Sequence, residues 1–149
     1  MTQDNATLVE RRGRTREMID KLLAERQEML VLFCQVAGLE PYTETASVTQ
    51  SLQRFCQVLV DYMAFAHFEI YDRLSRGEER RGGILATAEL VYPRITELTE
   101  TAVDFNDKYD DNSPQADLTE LGPDLSSLGE ALAARVELED RLIASMLEG

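Results

Sequence analysis

The sequence predicts an all-α fold, organised as an antiparallel four-helix-bundle core with additional short helices. Apolar residues recur at helical spacing through almost the whole chain, and alternating strand patterns bounded by turn residues are missing. Long amphipathic helices joined by connections of several residues bury their apolar faces best in such a bundle. A chain of 149 residues can bury roughly 70% of its unfolded surface. We therefore expect residues 1–149 to form a single helical domain.

The first helix is predicted from a capping-box-like Thr7-x-x-Glu10 and ends at Gly38 and Pro41. Its apolar stripe comprises Ile19, Leu22, Leu23, Leu30, Phe33 and Ala37. The second helix follows a polar connection and is expected to end near Gly77. Its apolar stripe comprises Val48, Leu52, Phe55, Cys56, Leu59, Met63, Ala66, Ile70 and Leu74.

The third helix begins at Ile84 after a basic, glycine-containing stretch. Pro93 lies inside its apolar pattern, so we expect a kink or a break there, because proline lacks the amide hydrogen. The acidic segment from Asp104 to Asp117 is predicted to be a solvated loop after a frayed helix end. A last helix is predicted to follow Pro123, with Leu125, Leu128, Leu132, Leu142, Ile143 and Met146 as its inner stripe.

The net charge of −13 indicates the kind of partner to expect. Proteins that grip nucleic acid through phosphates carry clustered Lys and Arg, so a basic protein is the better candidate partner. No apolar run is long enough to span a membrane, and charged residues interrupt the first thirty positions where a signal peptide needs an apolar stretch. We expect a cytoplasmic protein in which Cys34 and Cys56 are buried, reduced thiols.

Four residues of the second helix share the face opposite its core stripe: Asp61, Phe65, Phe68 and Asp72. Carboxylates beside large apolar rings suit a protein-binding surface, where aromatics fill pockets and carboxylates select Arg or Lys. The alternative is that another helix of this chain covers Phe65 and Phe68, as in a central bundle helix.

A second set of polar residues falls on the inner stripes: Arg26, His67, Arg135 and Glu139. Arg135 and Glu139 are four residues apart on one helical face. We interpret the set as a buried structural network that fixes helix register, and a catalytic or ligand-binding role is the alternative.

A carboxylate-bridged metal site is disfavoured because it needs Glu-x-x-His on two helices, whereas this chain has one histidine, preceded at three residues by Ala64. Neither a catalytic triad nor a glycine-rich phosphate loop is recognisable. We therefore expect no enzymatic activity, no metal and no cofactor.

Five separated motifs occur in the same order as in one bacterial family. The most specific is Phe55-Cys56-Gln57-Val58-Leu59-Val60-Asp61-Tyr62, continuing into His67-Phe68-Glu69-Ile70-Tyr71. The others are Ile19-Asp20 with Leu23 and Arg26, Tyr92-Pro93-Arg94, Phe105-Asn106-Asp107, and Ala134-Arg135 with Leu138-Glu139-Asp140-x-Leu142-Ile143. On these motifs the chain resembles the regulator of sigma D family, the Rsd/AlgQ anti-sigma factors, over nearly its whole length.

The resemblance implies a helical bundle that binds region four of the primary, sigma-70-type sigma factor, which otherwise contacts the promoter −35 element and core polymerase. It favours Asp61 and Phe68 as interface residues, because both belong to the most specific motif. Phe65 and Ala66 before His67, and Leu22 where a tryptophan is common, depart from the family's usual sequence. The alternatives are a metal- or small-molecule-binding helical-bundle enzyme and an adaptor for another regulatory protein.

Overall fold

The computed structural model describes residues 2–38, 48–71, 84–110 and 118–147. Four long helices dominate this part of the chain, and two short helical segments accompany them. The elements are α1 Thr2–Ala37, α2 Val48–Phe65 with a π-helical segment Ala66–Tyr71 that continues it, α3 Ile84–Tyr109, a 3-10 turn Leu118–Glu120, and α4 Leu121–Leu147. The prediction of an all-α fold is confirmed.

The four helices pack as a bundle in which α1 contacts α2, α2 contacts α3, α3 contacts α4, and α4 returns to α1. Neighbouring helices run in opposite directions, as residue pairs at their two ends show. These pairs are Phe33 with Phe55 and Lys21 with Phe65 between α1 and α2, Phe55 with Phe105 and Tyr71 with Tyr92 between α2 and α3, and Thr87 with Ser145 and Tyr109 with Asp124 between α3 and α4. This arrangement is the predicted antiparallel four-helix bundle.

An aromatic cluster fills the core at the end of the bundle where α1 finishes. The Phe55 ring lies edge-on to Phe33 and to Phe105, with centroids 5.9 and 6.0 Å apart, and Phe105 lies 4.7 Å from Tyr109. Such geometries add about 0.5–1.5 kcal/mol per pair beyond the buried area. This cluster joins α1, α2 and α3 at that end of the bundle.

The ends of α1 agree only partly with the sequence pattern. Gly38 ends the helix as predicted: its φ is 70°, and its amide donates to the carbonyl of Gln35 at 3.1 Å. The helix begins at Thr2, however, so Thr7 lies inside it and does not cap it. Pro41, Gly77 and the basic glycine-containing stretch lie outside the described residues.

Of the kink or break predicted at Pro93, the break is wrong, because α3 continues through this residue. A proline in a helix interior costs about 3 kcal/mol. Val91 and Ile95, on either side, are both buried, and fully burying such side chains contributes roughly 1.5–3 kcal/mol each. The proline itself is exposed, so the packing of its neighbours outweighs the lost hydrogen bond.

The start of the acidic segment is also helical, in contrast to the predicted loop. α3 extends to Tyr109, whose ring is buried beside Phe105 and whose hydroxyl donates to Asp124 at 2.6 Å. Residues 111–117 lie outside the described part of the chain. The last helix begins at Leu121, two residues before Pro123, which occupies its first turn. None of the described helices has the length and apolar character needed to cross a bilayer.

Candidate functional site

The outward face of α2 presents a carboxylate held in place by a neighbour. Asp61 is exposed, and its Oδ1 accepts a hydrogen bond at 3.1 Å from Nε2 of Gln57, one helical turn earlier. Residues four apart on a helix lie on the same face, so this contact orients the carboxylate without burying it. Asp61 is therefore available to a cation on a partner.

Phe68 lies beyond Asp61 on the π-helical segment and is 64% exposed. The ring of the preceding residue, His67, meets it edge-on, with centroids 4.9 Å apart and an interplanar angle of 83°. A large aromatic side chain that is left in water has the properties of an interface anchor. The alternative that another helix covers Phe68 does not hold within the described residues.

Phe65 is placed differently from Phe68. It is half-buried and packs against the hydrophobic core, and the ammonium group of Lys21 lies 4.7 Å from its ring centroid. Helix α1 therefore covers part of this ring, as the alternative interpretation proposed. Asp72, the fourth residue of the predicted face, lies outside the described residues.

A buried polar network occupies the middle of the bundle, with Glu139 of α4 at its centre. Its side chain is 1% exposed, and Oε1 accepts a hydrogen bond at 2.6 Å from the Arg135 guanidinium, itself 3% exposed. Arg26 of α1 lies 3.7 Å from the other carboxylate oxygen and makes a closer ion pair, 2.9 Å, with Asp140. Three of the four predicted network residues are thus brought together.

The fourth, His67, is exposed, so its predicted place on the inner stripe is wrong. The prediction extrapolated α-helical periodicity through residues 66–71. A π-helix closes hydrogen bonds from i to i+5, so its residues advance around the axis more slowly than those of an α-helix. The inner positions are accordingly Ala66 and Tyr71, five residues apart, and both are buried.

The sequence pattern missed the tyrosines of this network. The hydroxyl of Tyr62 donates to Oε2 of Glu139, and the Arg135 guanidinium lies over two aromatic rings, 5.4 Å from the centroid of Tyr62 and 5.8 Å from that of Tyr71. Thr99 of α3 accepts a further bond from Nε of Arg135 at 3.2 Å. One signal was available: Tyr62 lies three residues after Leu59 and four before Ala66, on the inner stripe, where a buried hydroxyl needs a partner.

Burial and charge hold both network tyrosines in their neutral form. Burial raises the pKa of Tyr62 well above its usual value, and the Glu139 carboxylate raises it further. Burial likewise raises the pKa of Tyr71, although the Arg135 guanidinium acts in the opposite direction. Hydrogen bonds and ion pairs of this network join all four helices, although the buried hydroxyl of Tyr71 has no hydrogen-bond partner among the described residues. Charges that are paired across the bundle in this way favour a structural role over a reactive one.

Within the described residues, no three His, Cys, Asp or Glu side chains are grouped so that they could hold a metal ion. The structure thus contains two polar regions of different character. One is an outward face with a carboxylate and an exposed ring, and the other is the buried polar network. The outward face is the candidate site, because binding to another protein is the chemistry its residues can perform.

Comparison with known proteins decides the family. The sequence model described as "Regulator of RNA polymerase sigma(70) subunit, Rsd/AlgQ" matches residues 1–147. The chain belongs to the Rsd/AlgQ family. Among its relatives named "Regulator of sigma D", that of Yersinia enterocolitica is 39% identical over 145 residues, which cover 92% of this chain and 84% of the relative. The Enterobacter sp. relative is 37% identical, with 95% of this chain and 87% of the relative covered.

Rsd/AlgQ membership agrees with the resemblance drawn from the five sequence motifs. The most specific of those motifs contributes both kinds of structure seen here, the exposed Asp61 and Phe68 on the outward face and the buried Tyr62 and Tyr71 of the network. The same stretch of α2 thus serves the surface and the core of this Rsd/AlgQ protein.

Proposed function

We propose that this protein is a non-enzymatic anti-sigma regulator that binds region four of the primary, sigma-70-type sigma factor in the cytoplasm. Occupying region four withholds it from core RNA polymerase and from promoter DNA. Membership of a family described as regulators of the sigma(70) subunit supports the partner. The observation that carries the proposal is the exposed ring of Phe68 on the same helical stretch as the exposed carboxylate of Asp61.

The electrostatics of the chain support a basic partner. Region four contains a helix-turn-helix, a motif that contacts the DNA backbone and reads the major groove with basic and polar side chains. A chain of net charge −13 attracts such a surface over a distance and accelerates its association. The same groups that region four uses for DNA then face carboxylates of this protein.

Within the proposed interface the residues have unequal roles. Phe68 supplies an apolar anchor for a pocket on sigma, and Asp61 pairs with an arginine or lysine beside that pocket. Phe65 contributes less new contact area, because Lys21 and the core already cover part of its ring. Asp72 is proposed as a second carboxylate of the interface because it follows Phe68 closely in the sequence, although the π-helical segment Ala66–Tyr71 separates it from Asp61 and α-helical spacing does not assign its face.

The test measures sigma binding by variants of the outward face. Asp61→Arg sets like charges against the basic partner, and binding should collapse while the fold survives, since an exposed carboxylate contributes little to stability. Phe68→Ala should weaken binding by about 2 kcal/mol, roughly thirtyfold, if the ring is a hot spot. Titration calorimetry with isolated region four gives the affinities, and circular dichroism verifies the helical content.

Matched controls separate the face from general effects of charge and size. Glu137→Arg reverses an exposed carboxylate on α4, and Leu90→Ala truncates a side chain on α3 that is 81% exposed. Both should bind sigma like the parent. Near-parental binding by a folded Asp61→Arg protein would refute the proposed face.

A further inference from the structure

A groove with a cavity volume of about 340 Å³ runs between α3 and the end of α2, beside the proposed sigma-binding face. Its walls are mainly apolar, formed by Met63, Ile95 and Val103. Val103 is 47% exposed, which leaves an aliphatic surface of the groove in water. The volume lies at the lower end of the range for small-ligand pockets, a size suited to one long side chain.

Two carboxylates line the groove on α3. Glu100 and Asp104 are four residues apart on one helical face, both are exposed, and within the described part of the chain neither forms an ion pair. Their neighbour Glu97, in contrast, is paired with Arg94 at 2.8 Å. Like charges four residues apart repel each other, so a cation placed between them would be stabilised.

An aliphatic wall with carboxylates beside it matches the shape and charge of a lysine or arginine side chain. Such side chains lay their methylene stem along apolar surface and keep the charged end in a polar environment. The Arg135 guanidinium also lines the groove, but it is 3% exposed and is paired with Glu139 at 2.6 Å, so the exposed carboxylates set the charge that an incoming group meets. A neutral apolar ligand would leave these carboxylates unused, and an anion would be repelled by them. The groove is therefore complementary to a long basic side chain.

The groove is continuous with the outward face of α2. His67 lines the groove, and its ring contacts Phe68 edge-on at 4.9 Å. A helix of sigma whose apolar residue packs on Phe68 thus has the groove within reach of a neighbouring residue. We infer that the groove between α2 and α3 receives a lysine or arginine side chain of the bound sigma region four, an inference that rests on the proposed function.

The first test places a basic side chain in the groove from within. Val103→Arg fills the apolar wall and pairs with Glu100 and Asp104, so it mimics the occupant and blocks its entry. Leu90→Arg is the matched control, because it makes the same change of charge at an exposed aliphatic position of the same helix outside the groove. Affinity for isolated region four should fall about tenfold for Val103→Arg and stay near parental for Leu90→Arg.

The second test changes the carboxylates. Glu100→Lys/Asp104→Lys should weaken binding at least about tenfold more than Glu89→Lys/Glu97→Lys, which makes the same change of charge elsewhere on α3. All four positions are exposed, so folding should survive, as circular dichroism will verify. The neutral Glu100→Gln/Asp104→Asn variant should reduce the dependence of the association rate on salt.

The outcomes distinguish the groove from the proposed function. Equal binding by the groove variants and their controls, with Asp61→Arg still defective, overturns the groove inference and leaves the sigma-binding face standing. Equal loss in variants and controls also overturns it, since net charge alone would then explain the effect. A parent protein that does not bind region four overturns both the proposed function and the groove inference.

Discussion

Removing the carboxylate at the centre of the polar network tests the packing of the whole bundle. Glu139 accepts hydrogen bonds from Arg135 at 2.6 Å and from the Tyr62 hydroxyl, and it lies 3.7 Å from Arg26. In Glu139→Ala the Arg135 guanidinium stays buried with no counter-charge, whereas Arg26 keeps its pair with Asp140 at 2.9 Å. The loss therefore falls mainly on Arg135 and Tyr62.

The magnitude follows from the burial of both charges. Breaking a buried ion pair by removing one partner costs about 3–5 kcal/mol. For a chain of this size each kcal/mol lowers the melting temperature by about 2–4 °C, so Glu139→Ala should melt roughly 6–20 °C below the parent. Since the total stability of a domain is about 5–15 kcal/mol, a substantial part of it depends on this one side chain.

Thermal and urea unfolding followed by circular dichroism provide the assay. Glu137→Ala is the control, because Glu137 is exposed on the same helix and surface substitutions usually change stability by less than about 0.5 kcal/mol. The double variant Arg135→Met/Glu139→Leu leaves no unpaired charge and should recover much of the loss. If Glu139→Ala unfolds at the same temperature and urea concentration as Glu137→Ala, the network is open to water and the packing argument is wrong.

Three further predictions concern pH, packing and salt. Burial raises the pKa of Tyr62 from 10.0 in the folded protein, so this residue contributes its full stabilisation below pH 10 and loses it as pH rises above 10. The free energy of unfolding measured with urea should therefore fall above pH 10, and Tyr62→Phe should make that fall smaller. A Cβ added at Gly129 would lie 2.9 Å from the Phe33 ring, whereas a Cβ added at Gly13 would meet no described atom within 4 Å. In the same assay Gly13→Ala should therefore stabilise the protein by about 1 kcal/mol, and Gly129→Ala should destabilise it by up to about 2 kcal/mol. Sigma affinity should fall as salt rises, and calorimetry showing no such dependence would contradict the electrostatic part of the proposal.

The sequence predicted the bundle because regular helices repeat every 3.6 residues, and the position of Glu139 and Arg135 followed from the same periodicity within α4. Their partner Arg26 on α1 was predicted for the same reason, since α1 is also a regular helix. What periodicity cannot supply is which hydroxyl meets a buried carboxylate. Tyr62 entered the sequence predictions only as part of the most specific motif, and the packing of the bundle brings its hydroxyl to Glu139.

The failure at His67 has a different origin, because here the helix itself changes. The π-helical segment brings Tyr71 into the core, and no local residue pattern predicts such a segment. Pro93 shows the opposite case: a strong local signal for a break is overruled by the buried residues around it. Local rules held where tertiary packing agreed with them and failed where it did not.

The π-helical segment also holds the backbone of Phe68 in place at the proposed interface. Ala66 and Tyr71 anchor it in the core at both ends, and the hydroxyl of Tyr92 on α3 donates to the Tyr71 carbonyl at 3.0 Å. Phe68 therefore projects from a segment tied down on either side, although its ring is in water. Binding through a fixed element loses less conformational entropy than binding through a mobile loop, so more of the contact energy of the ring appears as affinity. An exposed aromatic side chain on an anchored segment, on the same helical stretch as the exposed carboxylate of Asp61, is thus what the proposed interface presents to sigma.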